Sequence, residues 1–239
     1  MRAGAIVGVL VAAAGLAPAA QAGVRADYRQ QFTTPVPGAS TGTDTEILYK
    51  HPDDPDAKPI PLRREVFTFP AGTTFDSSVV PACTATDIEV ALQGAAACPP
   101  ESRIGGDLGD TSMTGFPGDG ETPLALDAFD ESSGTLLIAG PEQYPLRLAT
   151  HARREGRVIT VDVPRTPGGP PEGESALRYV HHLFPARSLG QRAYTRTPRT
   201  CPRSGAWTFT AQFTFADGAV EEDVYRMPCR GAAGKWVSR

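Results

Sequence analysis

Along most of the chain, apolar and polar residues alternate one by one in short runs cut by proline and glycine. Such alternation puts successive side chains on opposite faces of a strand, one face buried and the other wet. Residues 45–50 alternate with Ile47 and Tyr49 on one side and Leu48 on the other, and in 62–69 Phe67 and Phe69 share a face. Between them, His51-Pro52-Asp53-Asp54-Pro55-Asp56 reads as a polar turn. Strand patterns return at 123–129 and 135–139. A hairpin is expected from 146–152 and 157–163, turning at Arg154-Glu155-Gly156, with Ile159, Val161 and Val163 toward the core. The strongest signal comes near the end. Trp207, Phe209, Ala211, Phe213 and Phe215 line one face, and Thr208, Thr210, Gln212 and Thr214 the other. Asp217-Gly218 then reads as a two-residue turn with positive φ at both positions, and 220–227 returns.

One helix is predicted. Thr86-Asp87-Ile88-Glu89 fits a capping box, Ile88, Ala91 and Leu92 fall on one face, and Gly94 is placed to end the helix after about two turns. Residues 102–123, rich in Gly, Asp, Ser and Thr, read as a loop or irregular edge, and 166–175 as a flexible loop. Many short strands and one short helix give an all-β chain folded as a β-sandwich, of which a jelly roll is one arrangement. Two smaller β subdomains meeting near residue 116 are the alternative layout.

The first residues add a compartment. Arg2 precedes an apolar run at 3–16, Pro18 breaks it, and Ala20-Gln21-Ala22 offers small residues where a signal peptidase cuts. The run is shorter than the roughly 20 residues that span a bilayer. A signal peptide over 1–22, a single sandwich domain over 23–232 and a flexible tail over 233–239 are therefore expected. The protein would be secreted, extracellular or wall-associated, with no transmembrane segment after cleavage.

Export changes the meaning of the four cysteines, Cys83, Cys98, Cys201 and Cys229. An even count outside the cell suggests disulfides, and four cysteines allow three pairings. The local pairing Cys83–Cys98 and Cys201–Cys229 is expected because each pair brackets a compact unit: the short helix, and the open end of the last hairpin. Each closed loop is worth about 3 kcal/mol. With no C-x-x-C and with His181 and His182 adjacent, no metal and no cofactor is expected. A formal net charge of −4 argues against nucleic acid as a partner, and the absence of Asn removes any glycosylation sequon.

Candidate chemistry comes from two stretches of opposite charge. Acids gather between Asp107 and Glu131; among them Asp119, Glu121, Asp127 and Asp130 are candidates for a paired acid and base. From Pro145 to Arg203, eleven Arg face only Glu155, Asp162, Glu172 and Glu174. There Arg178, Tyr179, His181, Arg192 and Tyr194 are candidates to face a ligand such as an anionic wall polymer, a polysaccharide or another envelope protein. The simpler reading is that the basic stretch pairs with the acidic one within a single fold. His181 and His182 are neighbours on a strand, so only one of them can enter a site. Gly38-Ala39-Ser40-Thr41-Gly42 matches a nucleophile elbow, but prolines precede it and an alternating strand follows, which makes it a turn.

Several stretches carry a resemblance. They are Pro37-Gly38-Ala39-Ser40-Thr41-Gly42 with 53–61, the run from Phe69-Pro70-Ala71-Gly72 through Cys83 to Cys98-Pro99-Pro100 and Gly105, and Cys201-Pro202-Arg203-Ser204-Gly205-Ala206-Trp207 with Phe213, Asp217-Gly218 and Cys229. In these the chain resembles exported actinobacterial proteins of no assigned function. The resemblance implies export, two disulfides and a β fold, and it brings no catalytic residues. The expected function is a non-enzymatic extracellular or cell-envelope module that binds a ligand or partner. The alternative is a secreted carbohydrate-active enzyme, whose two carboxylates would stand about 5–9.5 Å apart in a groove.

Overall fold

The computed structural model describes residues 23–115, 120–143, 145, 147–169 and 173–230. The expected signal peptide over 1–22 and the expected tail over 233–239 fall in 1–22 and 231–239, which lie outside the described residues.

The alternating runs are strands. β1 (Ala26–Phe32), β2 (Thr43–Tyr49) and β3 (Leu62–Thr68) come first, followed by the two-residue β4 (Thr74–Phe75) and the helix α1 (Asp87–Gln93). Next come β5 (Arg103–Asp107), β6 (Ser112–Thr114), β7 (Glu121–Asp130), β8 (Gly134–Pro141), β9 (Leu148–Glu155), β10 (Val158–Asp162) and β11 (Ala176–Phe184). The short β12 (Ser188–Leu189), β13 (Arg192–Ala193) and β14 (Thr195–Arg196) lead into the final hairpin, β15 (Ala206–Phe215) and β16 (Val220–Pro228).

Twelve of these strands form one antiparallel sheet in the order β1-β2-β11-β5-β7-β8-β9-β10-β3-β15-β16, with β6 bridging β11 and β7. The sheet turns back until its first and last strands lie side by side. Its two halves then pack face to face, as the layers of a sandwich do. Phe32 on β1 meets Trp207 and Phe209 on β15 at 5.3 and 4.9 Å between ring centroids, and Tyr49 on β2 meets Phe213 at 5.9 Å. The inward stripe of β15 is fully buried, as its period-two pattern requires.

Where β1 meets β16, side chains take the place of a backbone ladder. The N–H groups of Arg25 and Ala26 donate to the Glu221 carboxylate, and that of Tyr28 donates to Asp223 at 3.1 Å. An edge strand presents such donors on every second residue, and here acids on the neighbouring strand cover them.

Both local disulfides form, with Cα separations of 5.1 Å for Cys83–Cys98 and 5.6 Å for Cys201–Cys229. Among the described residues no cysteine is free and no helix is long and apolar enough to cross a membrane. The capping box is present: Thr86 Oγ1 accepts from Glu89 N, and Glu89 Oε2 accepts from Thr86 N at 2.8 Å. Thr86→Ala removes the cap and is expected to cost about 1 kcal/mol, read from urea unfolding of the oxidised protein; no change in midpoint would mean that tertiary contacts alone hold the first turn.

Three local expectations are corrected. The helix does not bury Ile88, Ala91 and Leu92; it buries Val90, while Ile88 and Leu92 are 72% and 79% exposed. Its rotation is fixed by the adjacent disulfide and by His151 Nε2 on β9, 2.9 Å from Asp87 Oδ1, which turn Val90 toward Phe129, Leu136 and Ile138. The last hairpin turns through three residues, not two. Phe215 N donates to Ala219 O and Gly218 N to Phe215 O, and Gly218 alone takes a positive φ, 83°, in the manner of a bulged turn. Finally, 102–123 contains β5, β6 and the start of β7. Gly105 and Gly106 are glycines for space: a Cβ on either would lie 2.6 Å from a carbonyl oxygen, that of Leu183 or of Leu126. Their composition imitates a loop because the strand is squeezed between two neighbours.

Candidate ligand-binding cavity

Between the two halves of the sheet the side chains do not fill all the space. Two adjoining cavities remain, of about 120 and about 90 Å³. Leu62, Met113, Leu124, Leu126 and Val163 give the larger one an apolar wall. Phe67, Phe69, Phe75, Ile104 and Ile159 do the same for the smaller. Glu65, Leu137, Val161 and His182 line both, so they stand at the junction.

Two of those four can ionise, and local structure explains how each arrives. Phe67 and Phe69 face inward on β3 and its continuation, and two residues back the same face carries Glu65. Leu62 joins that face because Arg63 is an extra residue at a bulge: Leu62 pairs with Phe215 and Arg64 with Thr214. On β11 the inward residues are Val180 and His182, with Val180 in the main core. His181 therefore points the other way.

Both groups at the junction are held close to neutral. Glu65 is buried, and its carboxyl is pushed up to about 7 by that burial, against the hydrogen bond it accepts from the Tyr49 hydroxyl. The same burial, and then Glu65 itself, raises Tyr49 well above the usual phenol range. His182 is pushed down to about 4, first by desolvation and then by the charge of His181. It keeps some open surface because it borders the cavities, but its Nε2 is buried and has no hydrogen-bond partner. An unpaired buried nitrogen costs roughly 1–3 kcal/mol. Gln30, Thr43 and Thr45 add further polar groups to the wall of the smaller cavity.

The arginines that touch the cavities direct their charge elsewhere. Arg63 pairs with Glu174 at 2.6 Å. Arg154 donates to the Tyr194 hydroxyl and the Ser132 carbonyl, and its guanidinium lies over the Phe75 ring at 5.4 Å. Among the described residues the interior is thus apolar, with a few polar groups and no free fixed charge. Such a chamber suits a small uncharged guest.

The residues singled out from sequence fall in different places. His181 is outside, with Asp110 Oδ2 and Asp44 Oδ1 each 3.0 Å from its ring nitrogens. Partial burial opposes its charge, but those two carboxylates outweigh burial and raise its pKa. Tyr179 lies beside it, with ring centroids 6.1 Å apart. Arg178 donates to the Ala57 carbonyl and lies 3.6 Å from Glu121. Arg192 belongs to another region, bound through two hydrogen bonds of 2.9 Å to Asp76. Tyr194 is buried, donates to Asp130 at 2.7 Å and borders the smaller cavity. Of the five, the structure brings only Arg178, Tyr179 and His181 onto one strand.

Asp119 lies outside the described residues. Glu121, Asp127 and Asp130 are spread along β7: Glu121 accepts from Ser112 at 2.8 Å, and Asp127 pairs with Arg103 at 2.6 Å. Asp130 is fully buried under Tyr194. At about 3.4 Å per residue, Glu121 and Asp127 are roughly 20 Å apart, and Asp127 and Asp130 emerge on opposite sides of the strand. The basic stretch does fold onto the acidic one, through His181–Asp110, Arg178–Glu121, His151–Glu131 and Tyr194–Asp130. Among the described residues no three of His, Cys, Asp or Glu are grouped to hold a metal ion.

Sequence reasoning passed over Glu65. The signal was present, since stepping back by two from Phe69 and Phe67 lands on a lone carboxylate in an apolar face. Comparison with known proteins finds no matching family model, no similar curated protein and no similar solved structure.

Proposed function

We propose that this is an exported, non-enzymatic binding module that carries a small apolar ligand inside its sheet. Export rests on the signal-peptide pattern of 1–22 and fits a chain whose four cysteines are all paired. The observation that carries the binding function is the junction of the two cavities, where the buried Glu65 and the imidazole of His182 line an otherwise apolar chamber. A purely structural sandwich gains nothing from two ionisable side chains on such a wall; a ligand with a hydrogen-bonding group would give them a partner.

The test is ligand-linked stability. Dissolved cyclopropane, with three carbons small enough for one lobe, is expected to raise the melting temperature of the oxidised chain from Gly23 onward by about 3 °C, as mass action requires at tenfold excess over the dissociation constant. Ala139→Phe fills the larger cavity, which Ala139 lines, and Ala152→Leu narrows the smaller. Either variant should lower the response. Equal shifts in the wild-type protein and both variants would mean that cyclopropane binds elsewhere and would remove the cavity as the site.

A further inference from the structure

We infer that the ligand is an uncharged molecule with two small apolar lobes and one hydrogen-bonding group between them, which rests against His182 and Glu65 at the cavity junction. This deepens the binding function proposed above and rests on it.

Three features lead there. The first is shape. Each cavity is smaller than the roughly 150 Å³ that admits a benzene ring in an apolar protein interior, so each takes a branch of roughly three or four carbons. Because the two adjoin, one molecule can occupy both. The second is the position of polarity. Glu65 and His182 belong to the walls of both cavities. A ligand reaching into both lobes must pass them with its middle, not with its end. An amphiphile with a terminal head group, such as a fatty acid, would put hydrocarbon against the unpartnered imidazole.

The third is charge. Neither Glu65 nor His182 has an oppositely charged partner among the described residues, and Arg63 and Arg154 are engaged with Glu174 and with Tyr194, Ser77 and Ser132. An anion would enter next to a carboxyl group without a counter-ion, and a cation would meet an apolar wall. Burying either form unpaired is far costlier than burying a hydroxyl or ketone that finds one hydrogen bond. A neutral carboxyl group can donate, and a neutral imidazole can accept on one nitrogen while donating from the other. The junction therefore accepts an alcohol or a carbonyl equally.

A set of probes built on one seven-carbon chain and differing only at its central carbon tests this by calorimetric titration at pH 6: heptane, heptan-4-ol, heptan-4-one, 2-propylpentanoate and heptan-4-amine. Heptan-4-ol and heptan-4-one are expected to bind about tenfold more tightly than heptane, the net value of one buried hydrogen bond. The carboxylate and the ammonium should bind at least a hundredfold more weakly than the alcohol. His182→Leu, which removes an unsatisfied polar atom, should fold and bind heptane, with the advantage of the alcohol reduced to within twofold. If the charged probes bind as well as the alcohol, or the alcohol keeps its advantage in His182→Leu, the ligand class is wrong although the cavity still binds. If neither heptane nor heptan-4-ol binds the wild-type protein, both the ligand class and the cavity function fall.

Discussion

Glu65→Gln is expected to be more stable than the wild-type protein at high pH, by a margin that grows by about 3 kcal/mol between pH 4.5 and pH 7. In the folded chain the Glu65 carboxyl titrates at about 7, against an ordinary value of 4.5. A folded state that holds its proton more tightly is favoured below 4.5 and loses that advantage as pH rises through 7. Two and a half units correspond to about 3 kcal/mol. Glutamine keeps the shape and removes the proton. His182 works in the opposite direction. Its folded value of about 4 lies below its ordinary 6.5, so its contribution is complete above 6.5 and is lost as pH falls through 4. The margin of His182→Leu over wild type should therefore grow by a similar amount as pH drops from 6.5 to 4.

In the wild-type protein the two effects offset each other. Between pH 4.5 and 6.5 the folded pair is a protonated carboxyl and a neutral imidazole, and the unfolded pair is a carboxylate and an imidazolium. Both states hold one proton, so this pair gives stability no slope with pH. Urea unfolding at half-unit steps of pH, with each variant plotted as a difference from wild type, isolates the two sites. His151 and His181 titrate too, both raised by neighbouring carboxylates, but they are common to all three proteins; His151 cancels, and His181 enters the His182→Leu difference only through its repulsion of the His182 imidazolium. A flat difference for Glu65→Gln would mean that water reaches Glu65 in the folded chain, and an open interior of that kind would not hold an apolar guest.

The second large effect belongs to Phe213. Its side chain is fully buried, with ring centroids 5.9 Å from Tyr49, 6.2 Å from Tyr28 and 6.4 Å from Phe67, all three approached edge-on. Phe213→Ala removes the ring where three strands from both halves of the sheet meet, and should cost about 4 kcal/mol. For a chain of this size that is a fall in melting temperature of roughly 10 °C. The contrasting variant is Ile88→Ala on the exposed side of α1, expected within about 0.5 kcal/mol of wild type. A Phe213→Ala loss below about 1.5 kcal/mol would show that the two halves close over the gap, and that the neighbouring cavities are equally yielding.

These two sites differ in how far the sequence revealed them. Phe213 was legible because its period-two stripe runs unbroken over ten residues of β15, and an apolar face that long must be covered. The capping box and the two disulfides were legible for a similar reason, since each is a relation between residues close in the chain. Misreadings arose where composition and conformation part company. Gly105 and Gly106 looked like a loop and are the tightest point of a strand, and Ile88 and Leu92 looked like a buried face although the helix meets the sheet through Val90.

What the sequence determined by itself is local: which segments are strands, where the helix begins, which cysteines pair and which residues share a face. That follows because backbone geometry repeats every two residues in a strand and because short loops close at little entropic cost. The tertiary structure alone decided which faces meet. β11 enters the sheet between β2 and β5, and β3 between β10 and β15, by pairings that join residues more than fifty positions apart. Only those pairings bring Glu65 and His182 to one junction and leave space beside them. No periodicity records that space, because a cavity is set by how well two distant surfaces fit.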